Sequence, residues 1–223
     1  MLHDWKLCLL VPFLLLSADE AWKTKRAADW TDAETKQVLT DSPWAAMVTP
    51  TVKKVEQKQT GHRGGIVGIP GIGRRQPQTQ DPNDTPSAAT DTPQPFNIRW
   101  ESALPIREAE LKARETNAPD VDTSHYAIAV YGISSHLAKD SKRFADQLKD
   151  QAALKREGQK DLKPSHVDVL ERDDGVVIVF LFPRTKEITA KDSRAEFDAQ
   201  IGPFQFTQSF HVDEMTYQGK TEL

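Results

Sequence analysis

Between residues 57 and 95 this 223-residue chain holds six of its eleven glycines, six of its fourteen prolines and six glutamines, without an aromatic or a periodic apolar pattern. Such a stretch cannot bury enough apolar surface to offset the entropy lost on ordering, so it is expected to be disordered. Any core must come from its flanks. On the N-terminal side, Trp44 to Val55 (WAAMVTPTVKKV) has β-branched character, and Pro50, which has no amide proton for a ladder, confines it to an edge strand or to two broken pieces. On the other side Phe96, Ile98 and Trp100 alternate. Pairing these two strands makes 57–95 a long hairpin insertion within one folding unit, not a divider between two.

Within the insertion, glycine recurs at every third place through Gly65 Ile66 Val67, Gly68 Ile69 Pro70 and Gly71 Ile72 Gly73. Three triplets are too few for a collagen helix. No Gly-Lys-Ser or Gly-Lys-Thr follows and no strand leads in, so these glycines do not read as a phosphate-binding loop. A flexible loop is expected, with surface tethering as the alternative.

A ten-residue apolar run, Leu7 to Leu16 (LCLLVPFLLL), precedes Ser17 Ala18 Asp19. It is too short for a membrane-crossing helix, which needs about 20 residues, and it fits the apolar core of a secretory signal. Residues 1–18 are therefore expected to be a signal peptide cut after Ala18, leaving a secreted or periplasmic protein with no transmembrane span. Cys8, the only cysteine, would leave with the signal, and the mature chain would carry no disulfide and no thiolate metal site. The net charge is −4 and stays so when Asp4 and Lys6 are removed. A mildly acidic surface of mixed sign disfavours nucleic acid, whose phosphates need clustered cations.

Residues 19–56 read as an N-terminal arm and 96–223 as an α+β module. In the arm, Thr31 can cap a helix that runs to about Thr40, with Glu34 at the reciprocal capping-box position. Ser42 precedes Pro43 and is pushed out of helical geometry, which forces a turn. In the module, Pro105 begins a short helix, Tyr126 to Ile133 is a strand, and Lys139 to Arg156 reads as a helix with Phe144, Ala145, Leu148 and Ala152 on one face. A hairpin follows, with Val167 and Val169 in its first strand and an Asp173 Asp174 Gly175 turn. Its second strand, Val176 to Phe182, is continuously apolar, as if covered on both faces. Phe197, Ala199 and Ile201 alternate into Gly202 Pro203. Phe204, Phe206, Phe210 and Val212 alternate outward, and Met215 with Tyr217 fall out of phase, predicting a bulge near Asp213. The expected fold is α+β: a mostly antiparallel sheet of about six to seven strands with two helices on one face, plus a short N-terminal helix.

No catalytic or cofactor constellation of adequate specificity is legible. Two His-x-Asp pairs, His166 with Asp168 and His211 with Asp213, would each project from one side of a strand and together could form a two-histidine, two-carboxylate metal site. The bland reading is four solvated surface groups opposite core-facing valines and phenylalanines. Ser134 Ser135 His136 lacks the Gly-x-Ser-x-Gly elbow of a serine hydrolase. Asp168, Glu171, Asp173 and Asp174 offer carboxylates for a glycosidase pair, although a hairpin turn explains the last two. Trp30, Trp44 and Trp100 are expected to pack the arm onto the sheet, the alternative being an exposed aromatic patch that binds a partner or a glycan.

Asp29 Trp30 Thr31 with Leu39, then Ser42 Pro43 Trp44 Ala45, resembles a family of exported bacterial proteins of unknown function with a Trp-Thr and Ser-Pro-Trp box and a Gly/Pro-rich insert. The likeness extends to Arg99 Trp100 Glu101 Ser102 Ala103 Leu104 Pro105, to Tyr126 Ala127 Ile128 Ala129 Val130, and to Met215, Gly219, Lys220, Glu222 and Leu223. It implies a secretion signal, a variable insert and a compact C-terminal module, and it brings no activity, cofactor or catalytic residue. The expectation is a non-enzymatic binding or envelope-associated protein, its partner an envelope protein or a glycan. A metal-assisted hydrolase on the two His-x-Asp strands is the alternative.

Overall fold

A computed structural model describes residues 20–53, 93–115, 118–138, 141–172, 175–185 and 187–223. The expected signal peptide, nearly all of the 57–95 insertion, and Asp173 with Asp174 lie outside them. The architecture is α+β, with four helices: α1 (Ala21–Thr24), α2 (Asp32–Thr40), α3 (Leu104–Ala113) and α4 (Ser141–Asp150).

The strands do not form the single sheet of six to seven expected from sequence. They make two antiparallel sheets of five and four strands plus a hairpin. In the first sheet the order is β1 (Ala45–Val48), β3 (Phe96–Trp100), β4 (His125–Ile133), β7 (Gly175–Pro183) and β6 (His166–Arg172). In the second it is β2 (Thr51–Val52), β9 (Phe204–His211), β8 (Arg194–Ile201) and β5 (Ala152–Arg156), and β10 (Thr216–Tyr217) pairs with β11 (Lys220–Thr221). The strands flanking the insertion do pair, Ala45 opposite Arg99 and Val48 opposite Phe96. Past Pro50 the chain changes sheets: β2 pairs with β9, Thr51 opposite Gln205. The proline breaks one strand into two pieces, and each piece serves a different sheet.

Helix α2 starts where the sequence places it. Thr31 Oγ1 accepts from the Glu34 amide at 3.2 Å and Glu34 Oε2 accepts from the Thr31 amide at 2.7 Å, a reciprocal capping box. The helix expected over 139–156 ends instead at Asp150, and Ala152–Arg156 becomes β5, with Leu154 opposite Phe197. No glycine or proline marks that break; the edge of β8 offers a ladder whose pairing overrides local helix propensity. Likewise no bulge accounts for the phase change near Asp213. Strand β9 stops at His211, and a turn over 212–214 rotates the chain into β10 while Val212, Met215 and Tyr217 stay buried.

Aromatic edges join the two sheets. Phe197 of β8 meets Phe180 and Phe182 of β7 at 5.2 and 6.0 Å between centroids. Phe96 meets Phe204 and Phe206, and Trp100 meets Phe210 at 5.0 Å. On the far side of the first sheet Ala127, Ala129, Val177 and Val179 form a second small cluster, which explains why β7 is apolar throughout. Trp100→Ala removes the indole at the centre of the seam. It is expected to cost about 3–5 kcal/mol in urea denaturation. At Gly175 φ is +141° and an added Cβ would lie 2.7 Å from the Ile133 carbonyl oxygen. Gly175→Ala is therefore expected to destabilise by about 1–3 kcal/mol in the same measurement.

Candidate functional site

The three tryptophans named as a possible patch are not at the surface. Trp30 is 3% exposed and Trp44 and Trp100 are 0% exposed. Trp44 packs edge-on against Trp22 and donates its Nε1 proton to the Glu222 carbonyl at 2.7 Å, and Trp30 lies against Tyr217. The aromatic-patch reading is corrected: the indoles hold the arm to the body, because rings this large gain most by leaving water.

The four groups of the metal reading are not brought together either. His166 and Asp168 lie on β6, opposite Leu181 and Val179, and contact each other at 3.0 Å on an exposed surface. His211 ends β9 in the other sheet, and Asp213 sits in the turn beyond it. Among the described residues no three His, Cys, Asp or Glu side chains are grouped to hold an ion. Ser124, His125 and Asp122 do converge, but as a turn and not as a triad. Ser124 Oγ and Asp122 Oδ1 both approach the same ring nitrogen, His125 Nδ1, at 2.8 and 3.0 Å, whereas a relay needs the two partners on opposite nitrogens. Hydrogen bonds from Ser124 and then His125 hold the Asp122 carboxyl down at about 2.

A buried polar network clamps α3 to the first sheet. Arg99 donates through Nε to the Leu39 carbonyl at 3.1 Å, and through Nη1 to Glu110 at 3.2 Å and Glu115 at 2.9 Å. Its guanidinium also lies 4.2 Å from the Tyr131 ring centre. The Tyr131 hydroxyl is 3.1 Å from Oε1 of both Glu101 and Glu110. One phenolic proton serves one acceptor at a time, so the second contact needs a proton on a carboxyl. Glu101 carries it. Burial, and then Glu110 beside it, pushes the Glu101 carboxyl well above its ordinary value. Arg99 answers Glu110, the neutral Glu101 shares its proton with Glu110, and the Tyr131 hydroxyl donates to the pair. The network fixes α3 against the first sheet through Arg99, Glu110 and Tyr131.

What α3 borders is a cleft of about 480 Å³, walled by Leu104 and Arg107 of α3, by Asp122 and Tyr126, and by Arg184 and Ile188. Arg184 is spent on structure: it donates to the His125 carbonyl at 3.1 Å and to Leu223 O at 2.6 Å, stacking over the Tyr126 ring. The Tyr126 hydroxyl in turn accepts from the Ile188 amide at 2.7 Å. Arg107 is exposed and has no ion-pair partner among the described residues, and Leu104 beside it is 39% exposed. Sequence reasoning missed this cleft because its walls are drawn from four separate segments between residues 102 and 223, which only the fold brings together.

The fold and the cleft define a two-sheet α+β protein with a mixed polar and apolar recess at the start of α3. No protein-family profile, no curated protein and no solved structure matches the chain.

A carboxyl that holds its proton more tightly folded than unfolded contributes stability that is complete below the unfolded value and lost as pH rises toward the folded one. For Glu101 the loss begins near 4.5. Each pH unit over which only the unfolded chain is ionised costs about 1.4 kcal/mol. Glu101→Gln is expected to flatten this decline and to be more stable than the wild type at neutral pH, read as the difference between their urea denaturation midpoints across pH.

Proposed function

We propose that this is an exported, non-enzymatic binding protein that attaches to an envelope component through the cleft at the start of α3. The observation that carries the reading is Arg107: an exposed guanidinium with no ion-pair partner among the described residues, beside the partly exposed Leu104 at the mouth of a formed recess. A cation next to an apolar side chain suits a protein segment that offers a carboxylate and an apolar neighbour. It suits a glycan less well, since sugars favour exposed aromatic faces and Trp30, Trp44 and Trp100 are buried. The apolar leader at Leu7 to Leu16 supports an extracytoplasmic address. No helix among the described residues is long and apolar enough to cross a membrane.

Fractionation of the native host is expected to place the protein outside the cytosol, with Asp19 as its N-terminal residue by Edman degradation. A photo-crosslinker at Leu104 should capture one envelope protein. Arg107→Glu should weaken that capture about tenfold, the equivalent of ~1.4 kcal/mol, without moving the melting temperature. A cytosolic chain still beginning at Met1, or capture indifferent to Arg107→Glu, would overturn the proposal.

A further inference from the structure

Behind the cleft, on the other side of the segment that carries Glu187 and Thr189, is a second cavity of about 570 Å³ built around Arg156. Arg156 is the last residue of β5, and its strand alternates inward through Ala152 and Leu154, both buried. Arginine at such a position is unusual because an ionised group is costly to take from water unless its donors are matched. The residue is only 6% exposed. Nη1 has weak partners, the Glu187 carbonyl at 3.4 Å and Asp192 Oδ1 at 3.5 Å. Nε and Nη2 are buried and have no hydrogen-bond partner.

Those two nitrogens form one edge of the guanidinium. Their N–H bonds run parallel and match the spacing of the two oxygens of a carboxylate. Asp192 does not fill that role, because its other oxygen, Oδ2, is committed to the Thr189 amide at 2.8 Å and to the Thr189 hydroxyl. The same cavity is lined by Lys191 and by the acids Glu157, Glu187 and Asp192. Three acids against two cations disfavour a dianion such as phosphate and suit a carboxylate whose own ammonium or hydroxyl group can face the acids.

We infer that Arg156 is the anchor of a second ligand site, which takes a small carboxylate bearing an ammonium group, of the amino-acid class, with its two oxygens side-on to Nε and Nη2. A ligand reaches the covered edge only through a local movement, for which the turn at Ala190–Asp192, held to Arg156 by no more than the 3.5 Å Nη1–Asp192 contact, is the wall of the cavity that would give. Ser193 at the exit of that turn has φ +52° and ψ −52°, a conformation costly to a residue with a Cβ, so the turn is held under strain that such a movement can release. The site stands apart from the cleft reading, although the two cavities share a wall.

The test is thermal unfolding of the wild type titrated with glycine, L-serine, acetate or inorganic phosphate. The amino acids should raise the midpoint, and phosphate should do so less. Arg156→Met should remove the response, or weaken the affinity at least about tenfold, and Arg156→Lys should do the same, since a lysine keeps the charge and loses the fork. Arg107→Ala should leave the response intact, which separates this site from the cleft. The Arg156 Nε–H resonance of the wild type, followed by NMR in the same titration, gives a readout that does not depend on a variant folding, and it should move to saturation with the amino acids. A wild type that does not respond, a resonance that does not move, a response that survives in Arg156→Met or depends on Arg107, or phosphate binding above glycine would each overturn the inference.

Discussion

The phenyl ring of Phe197 sits where the two sheets meet, with Phe180, Phe182 and Phe206 around it at centroid distances of 5.2 to 6.0 Å. Each sheet has one face that must leave water, and neither closes on itself. The rings of β7 and β8 meet edge to face, an arrangement that sets the positive rim of one aromatic against the negative face of the next and fixes their mutual angle. Trp100 and Phe210 repeat the contact further along the seam. Everything peripheral is placed relative to this seam. Helix α3 hangs from the end of β3, and the cleft and the Arg156 cavity flank the segment between β7 and β8.

Much of this plan is legible in the residues. The capping box at Thr31, the pairing of the strands around the insertion and the doubly covered β7 follow from patterns that local physics enforces: a hydroxyl at a helix start, alternation interrupted by low-complexity sequence, an unbroken apolar run. The division into two sheets does not follow, because alternation reveals which face of a strand is buried but not against which other strand. Residues 152–156 show the limit most plainly. Their side chains suit a helix about as well as a strand, and only the presence of β8 decides.

Polar residues were harder to read than apolar ones, and in opposite directions. The histidine and aspartate pairs and the tryptophans drew attention by type, yet the former are solvated and the latter are packed. The charged groups with consequences were Arg99, Glu101 and Arg156, all three buried. The stretch from Arg99 to Pro105 supplies an internal clamp: Arg99 and Glu101 join the network that seats α3, and Ser102 accepts from the Ala127 amide at 3.1 Å. Burying these groups costs desolvation that an apolar cluster would avoid, and what it returns is one defined position for the helix at the mouth of the cleft.

The N-terminal arm is sewn to the opposite end of the chain. Trp44 donates to Glu222, 178 residues away, and the Ala27 amide to the Tyr217 hydroxyl, 190 residues away. Contacts of such separation form late, after nearly the whole polypeptide is available. Until the segment around Tyr217 and Glu222 is present, Trp44 and the Ala27 amide lack these partners. The seating of the arm therefore depends on segments from both halves of the fold being in place at once.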